Sequence, residues 1–163
     1  MMKFTFGGIP ITVLGKRVEV GDQAKDFTLL KNDMSTVTLK EYDGKIKVLN
    51  IVPSLDTGVC DTQTRRFNAD FKEREDVVVI TVSNDLPFAQ ARWCGNAGLP
   101  NAITLSAHRD EAFATDYGVL IKEFRLLSRT VIVLDKNNKV TYVEYVLEGT
   151  NHPNYKAVFE HLS

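Results

Sequence analysis

The sequence predicts an α/β fold, a central mixed β-sheet flanked by helices. Three observations predict it. Two runs, Lys47 to Val52 and Val77 to Val82, are apolar on both parities, as strands buried on both faces are. Between them Phe67 and Phe71 stand at i and i+4 among Arg65, Arg66, Asp70, Lys72 and Glu73, the pattern of an amphipathic helix. Strand, helix and strand make a βαβ unit with a right-handed crossover. A third apolar run, Thr130 to Leu134, is followed by the turn Asp135–Lys139 and by Val140–Val146, which reads as an antiparallel partner.

The other elements follow in order. Phe4 and Phe6, then Ile9, Ile11 and Val13, alternate on either side of Gly7-Gly8 and predict an N-terminal β-hairpin within residues 1–20. A further strand, Arg17 to Val20, is expected after Gly15. Phe27–Leu30 and Thr36–Leu39 read as short strands joined through Asn32 and Asp33. The central helix is expected over about 60–74. Pro87 opens a helix that runs to about residue 97, with Gly95 and Gly98 near its end. Ala102–Leu105 is a short strand. Phe113 and Tyr117 give one helical face, Leu120–Leu127 a connection, and Asn154–Leu162 a closing helix.

Composition narrows the function classes. With 163 residues, 44% hydrophobic and 25% charged, the chain is expected to form one domain, 1–163. Lys and Arg number 20 against 21 Asp and Glu, so no net field favours nucleic acid or an anionic membrane. No apolar run is long enough to span a membrane. Gly7, Gly8 and Pro10 interrupt the N-terminal apolar residues, and no small-residue cleavage site follows, which argues against a signal peptide and for a cytoplasmic protein. Two cysteines are too few for a secreted disulfide scaffold. The histidines, His108, His152 and His161, lack the spaced partners of a metal site, so neither metal nor cofactor is expected.

The chemistry concentrates where the first buried strand ends. Pro53, Asp56 and Gly58 break that strand, and Cys60 falls at the strand-to-helix turn, in or near the first helical turn. Unpaired backbone N–H groups and the positive end of the helix dipole favour a thiolate there, and the thiolate is the nucleophile. An ordinary cysteine has a pKa of about 8.5, and making it mostly thiolate at neutral pH requires roughly 3 kcal/mol. A helix end supplies about 0.3–1 kcal/mol, rising to about 2 when partly buried. A second source of stabilisation is therefore needed, and a cation brought in from elsewhere in the fold is the leading candidate. Asp61 opposes a thiolate if its carboxylate lies close, yet Asp in a first turn is also ordinary helix chemistry. An unreactive, simply packed cysteine is the alternative.

The segment Asn50-Ile-Val-Pro-Ser-Leu-Asp-Thr-Gly-Val-Cys60 contains Pro53-x-x-x-Thr57-x-x-Cys60. It resembles the active-site signature of the peroxiredoxins, and of their bacterial thiol peroxidase subgroup in particular. Val20–Leu29, Ser83–Cys94 and Arg129–Asp135 are similar to that subgroup in the same order, so the resemblance runs along essentially the whole chain. It implies a thioredoxin-like fold and a homodimer that reduces hydrogen peroxide and alkyl hydroperoxides, with thioredoxin as reductant. It implies that Cys60 is the attacking thiol, passing through a sulfenic acid, and that Cys94 is the resolving thiol, giving a Cys60–Cys94 disulfide. Thr57 would hold the peroxide, Arg129 would be the missing cation and Pro53 would cover the cysteine. Each has a plainer reading: a buried helix residue beside Trp93, a turn or N-cap, a rim arginine, a strand terminator. Asn84 and Asp85, after the second strand, fall at the same rim as Thr57 and Cys60.

Two other functions fit the same residues. A non-catalytic redox-sensor module would oxidise once and pass the oxidation to a partner. A Cys–His acyl-transfer enzyme would need His108 or His152 to reach Cys60. Within Val146–Tyr155, Glu148, Thr150, Pro153 and Tyr155 fit the subgroup, whereas Gly149 and His152 depart from it.

Overall fold

A computed structural model describes residues 2–99 and 101–162. The hairpin pairs β1 (Phe4–Phe6) with β2 (Ile9–Ile11), Phe4 opposite Ile11. Val13 does not extend β2. The chain breaks at Thr12, whose amide and hydroxyl both donate to the Glu123 carboxylate at 2.8 Å. Val13–Leu14 then forms β3, which pairs with β9 (Leu120–Ile121) inside the expected connection.

The strand expected over Arg17–Val20 is absent. Val18 N–H donates to the Tyr145 hydroxyl at 2.8 Å, and Lys16 N–H donates to the Thr115 carbonyl, so these amides are satisfied without a ladder partner.

The main sheet also contains β4 (Thr28–Leu30), β5 (Thr36–Thr38), β6 (Ile46–Ile51), β7 (Val77–Ser83), β8 (Ile103–Ser106), β10 (Thr130–Leu134) and β11 (Val140–Tyr145). Its order is β11-β10-β6-β7-β8-β4-β5. The β6–β7 and β7–β8 pairs are parallel, and the remaining pairs are antiparallel. A mixed sheet was the expectation.

Period-two alternation divides the strands between two cores. Leu49, Ile51, Ile80, Val82, Ile132 and Leu134 face one core, with α3 (Ala112–Asp116) supplying Phe113. Val48, Val77, Val79, Val131 and Val133 face the other, against α1 (Gly58–Asp70) and α4 (Tyr155–Glu160). Phe67 and Phe71 stack at 6.2 Å between ring centroids on that face, and burying each contributes about 1.5–3 kcal/mol.

Helix bounds differ modestly from expectation. α1 starts earlier, after Thr57, and stops at Asp70 rather than running to residue 74. Beyond it Arg74 leaves the helical path to grip Asp76 through Nε and Nη2, at 2.8 and 2.9 Å, and to donate to the Leu162 carbonyl. That fork holds the Asp76 carboxyl down to about 2. α2 spans Pro87–Asn96, as its Pro and Gly punctuation predicts. α4 is shorter than expected; Asn154 caps it by accepting from Ala157 N–H at 3.1 Å.

Candidate active site

The parallel strands β6 and β7 end at one rim. There Val52 N–H still donates to the Val82 carbonyl at 3.0 Å, after which β6 turns through buried Pro53 into α1. Thr57 is the N-cap residue, with extended backbone, and its carbonyl accepts the Asp61 N–H at 2.9 Å. Its hydroxyl does not cap the helix. It donates to the Ser54 carbonyl at 3.0 Å, and the side chain is exposed. Cys60 follows in the first turn of the helix, as expected.

Cys60 has no exposed surface. It packs in one cluster with Val52, Leu55, Trp93 and Cys94, so the structure brings both cysteines to the same apolar pocket. Both are free thiols. The Cys94 sulfur lies 3.4 Å from the Thr104 hydroxyl on β8 and 4.0 Å from the Asn32 amide nitrogen.

Arg129 is held just before β10. Thr130 stands opposite Ile51, so the preceding arginine lies at the end of β6, where the chain turns toward Pro53. The side chain is 1% exposed. Nε donates to the Gly149 carbonyl at 2.9 Å and Nη1 to Gln63 Oε1 at 3.0 Å. Among the described residues no carboxylate lies within ion-pair distance of it. A buried cation without a counter-ion is costly, by several kcal/mol, unless the site is built to receive an anion. Gln63 is three residues after Cys60 on α1, so both face the same way. The arginine is thereby brought to the side of the helix that carries the cysteine.

Sequence reasoning missed the residues that hold this arrangement. Gln63 Nε2 donates to Asn50 Oδ1 at 2.5 Å, and Asn50 Nδ2 donates to the Thr64 and Thr81 hydroxyls at 3.0 and 3.1 Å. This buried chain of amides connects β6, β7, α1 and Arg129. One signal was visible: Asn50 is a polar residue inside an otherwise apolar strand, and such a residue needs a partner.

The rim loops are tied by Asp85. One carboxylate oxygen accepts from the Ser54 hydroxyl at 2.7 Å; the other accepts from Leu55 N–H at 2.8 Å and the Ser83 hydroxyl at 2.7 Å. Asp85 therefore pins the loop before Cys60 to the loop before α2.

The question over Asp61 is resolved by its partners. Its carboxylate accepts from Trp93 Nε1 at 2.7 Å and from Arg65 Nε at 3.0 Å, so its charge is already engaged.

Gly149 also has a reason. A Cβ there would lie 2.3 Å from Cδ2 of Phe6 in the hairpin. Glu148 beside it accepts from Gly7 and Gly8 N–H and from the Thr5 hydroxyl. The loop that departs from the subgroup pattern is thus the dock of the N-terminal hairpin, and its Gly149 carbonyl is an Arg129 ligand.

The histidines are engaged elsewhere. His108 Nδ1 is 3.0 Å from the Ser106 hydroxyl, His152 Nδ1 is 2.8 Å from the Tyr155 hydroxyl, and His161 Nδ1 is 2.7 Å from the Ala157 carbonyl. None is hydrogen-bonded to Cys60, as an acyl-transfer pair requires. A hollow of about 560 Å³ between the end of α1 and β8 is lined by Phe71, Val79, Leu99 and Ile103 and by none of the five candidate residues.

Comparison with known proteins identifies the family. The family model described as Redoxin matches residues 19–159. A thiol peroxidase of Halalkalibacterium halodurans is 56% identical over 160 residues, covering 98% of this chain and 96% of the relative. A thiol peroxidase of Bacillus subtilis is 54% identical over 160 residues, covering 98% of this chain and 96% of its own. Among solved structures, a peroxiredoxin-like protein from Aquifex aeolicus superposes with a TM-score of 0.90 at 36% identity, covering 98% of this chain and 95% of that one. A thiol peroxidase from Chromobacterium violaceum has a TM-score of 0.92 at 24% identity, covering 99% and 96%, which speaks to the thioredoxin-like fold. The chain therefore belongs to the redoxin family and, within it, to the thiol peroxidases.

Proposed function

We propose that this chain is a thiol-dependent peroxidase that reduces hydrogen peroxide and alkyl hydroperoxides. One observation carries the mechanism: Arg129 is buried without a counter-ion and is held by Gln63 against the face of α1 that bears Cys60. Cys60, as thiolate, attacks the distal peroxide oxygen. An S–O bond forms, the O–O bond breaks, and the departing oxide takes a proton and leaves as water or alcohol. Arg129 and the N–H groups of the first turn of α1 stabilise the charge that develops. Thr57, at the mouth of the turn, orients the peroxide through a hydroxyl able to donate and accept. Pro53 covers the thiol.

Cys94 then attacks the Cys60 sulfenic sulfur. An S–S bond replaces the S–O bond and water leaves. A dithiol reductant, thioredoxin, returns both thiols by exchange. That dependence suits a reducing compartment, and the cytoplasm is the setting we propose. We also propose a homodimer, supported by exposed Leu86, Phe88 and Phe124 beside the rim.

The test is peroxide consumption coupled to thioredoxin, thioredoxin reductase and NADPH. Wild type turns over, Cys60→Ser consumes nothing, and Cys94→Ser stalls after one equivalent. Turnover by Cys60→Ser would overturn the assignment. Oxidation of wild type without recycling would leave a redox sensor as the better account.

A further inference from the structure

Two residues next to the cysteines hold each other. Asp61 follows Cys60, and Trp93 precedes Cys94. The indole N–H of Trp93 donates to Asp61 Oδ1 at 2.7 Å, a charge-assisted bond between α1 and α2. Arg65 reinforces it from both ends. Its Nε donates to both Asp61 oxygens, at 3.0 and 3.1 Å, and its Nη1 donates to the Ala97 carbonyl at the end of α2, at 3.3 Å. The guanidinium also lies 5.7 Å from the Trp93 ring. Trp93 is 8% exposed and the Asp61 side chain 35%, so the bond is partly sheltered from water.

Both sulfurs are free thiols, and Cys94 Sγ lies 3.4 Å from the Thr104 hydroxyl on β8. Disulfide geometry is strict, and closing the bridge from this state takes movement of the first turn of α1 or the last turn of α2. Movement of the first displaces Asp61, and movement of the second displaces Trp93. In both cases the Asp61–Trp93 bond is strained or broken before the S–S bond forms. α2 is the weaker element, ten residues long with Phe88 and neighbouring Leu86 exposed at its start, and a helix of that length has little stability of its own.

We infer that Asp61 and Trp93 form a clasp whose opening sets the rate at which Cys94 resolves the oxidised Cys60. They are positioning residues: Trp93 packs in the cluster that holds both cysteines, and neither side chain reacts. The consequence is a trade. A closed clasp prolongs the sulfenic acid, during which a second peroxide can add another oxygen to give the sulfinic acid and leave as water or alcohol. An open clasp shortens that interval. The inference rests on the proposed roles of Cys60 and Cys94.

The experiment mixes the reduced protein with one equivalent of hydrogen peroxide, quenches with a thiol-alkylating reagent over time, and measures sulfenic acid, disulfide and free thiol by mass spectrometry. Trp93→Phe keeps the ring and removes the N–H. It is expected to form the disulfide about tenfold faster, the low end of what a hydrogen bond to a charged group supports, with the first oxidation step unchanged. Asp61→Asn keeps an acceptor without the charge and is expected to give a smaller acceleration; it serves as the second variant should the first fold poorly. Both should need more peroxide to become inactivated. Resolution no faster than wild type in both variants would overturn the clasp. So would a slowed first oxidation, because the bond would then be shaping Cys60 itself. A wild type that forms no disulfide would overturn the role of Cys94 and the clasp with it, which separates the two failures.

Discussion

At the scale of single residues, the site is an arginine and a cysteine that never touch through a hydrogen bond in this state. What relates them is amide chemistry. Gln63 accepts from Arg129 with its oxygen and donates to Asn50 with its nitrogen, so the amide orientation is set from both ends. Gly149 belongs to the same frame, since its carbonyl takes Arg129 Nε and its missing side chain leaves room for Phe6. Gly149→Ala should force Phe6 aside and shift that carbonyl. Overpacking of this kind costs about 1–3 kcal/mol, and loss of the arginine's alignment should lower kcat/KM by about tenfold. Adding Phe6→Ala restores the space. Coupled peroxidase kinetics on the single and double variants check this, and an equally impaired double variant would show that the steric account is wrong.

At the scale of elements, the N-terminal hairpin is more than an appendage. Thr5 N–H donates to the Leu147 carbonyl, Gly149 N–H donates to the Thr5 carbonyl, and the Gly7-Gly8 turn binds the Glu148 carboxylate. The Thr150 hydroxyl first, then the Gly8 and Thr150 amides and the Thr5 hydroxyl, hold the Glu148 carboxyl far below the usual carboxylate range. The sign follows from linkage. A carboxylate depressed in the folded state stabilises it fully above the unfolded pKa of about 4.3, and that effect declines progressively as pH falls from there through the lower folded value. The hairpin should therefore stay docked as pH drops to about 3. The Gly8 amide NMR shift reports this directly: it should be flat between about pH 3 and 7 in wild type and displaced throughout in Glu148→Gln. A midpoint near 4.3 in wild type would contradict the docking account.

At the scale of the whole molecule, the sheet order places the ends of β6 and β7 and the start of β10 at one rim, where three separate stretches of chain meet. Beside that rim Leu86, Phe88 and Phe124 are 51%, 66% and 43% exposed. Asn84 Nδ2 donates to the Arg125 carbonyl at 2.7 Å, which sets the Phe124 loop against the start of α2. Large apolar side chains clustered on a surface mark an interaction site. A second copy of the chain is the proposed occupant. Phe88→Asp with Phe124→Asp should shift the sedimentation coefficient from dimer to monomer at micromolar concentration, leaving the far-UV spectrum unchanged; a wild type already monomeric there would refute the dimer.

Much of this was legible in the chain itself. Local patterns determine β6, α1, β7, α2 and the β10–β11 hairpin, because burial on both faces, helical periodicity and Pro or Gly punctuation act over a few residues. They also place Cys60 in a first helical turn, whereas Pro53, Thr57 and Arg129 stand out as site candidates only through the family resemblance. Where those patterns misled, a distant partner had supplied the hydrogen bonds: Glu123 took Thr12 and broke the second hairpin strand, and Tyr145 took Val18 in place of a ladder. The tertiary structure alone decided that Gln63 and Asn50 carry Arg129, that Asp85 joins the two rim loops, that Asp61 is spent on Trp93, and that Gly149 makes way for Phe6. Each depends on a contact between residues far apart in the chain, and side-chain polarity specifies the need for a partner without naming which one the fold will bring.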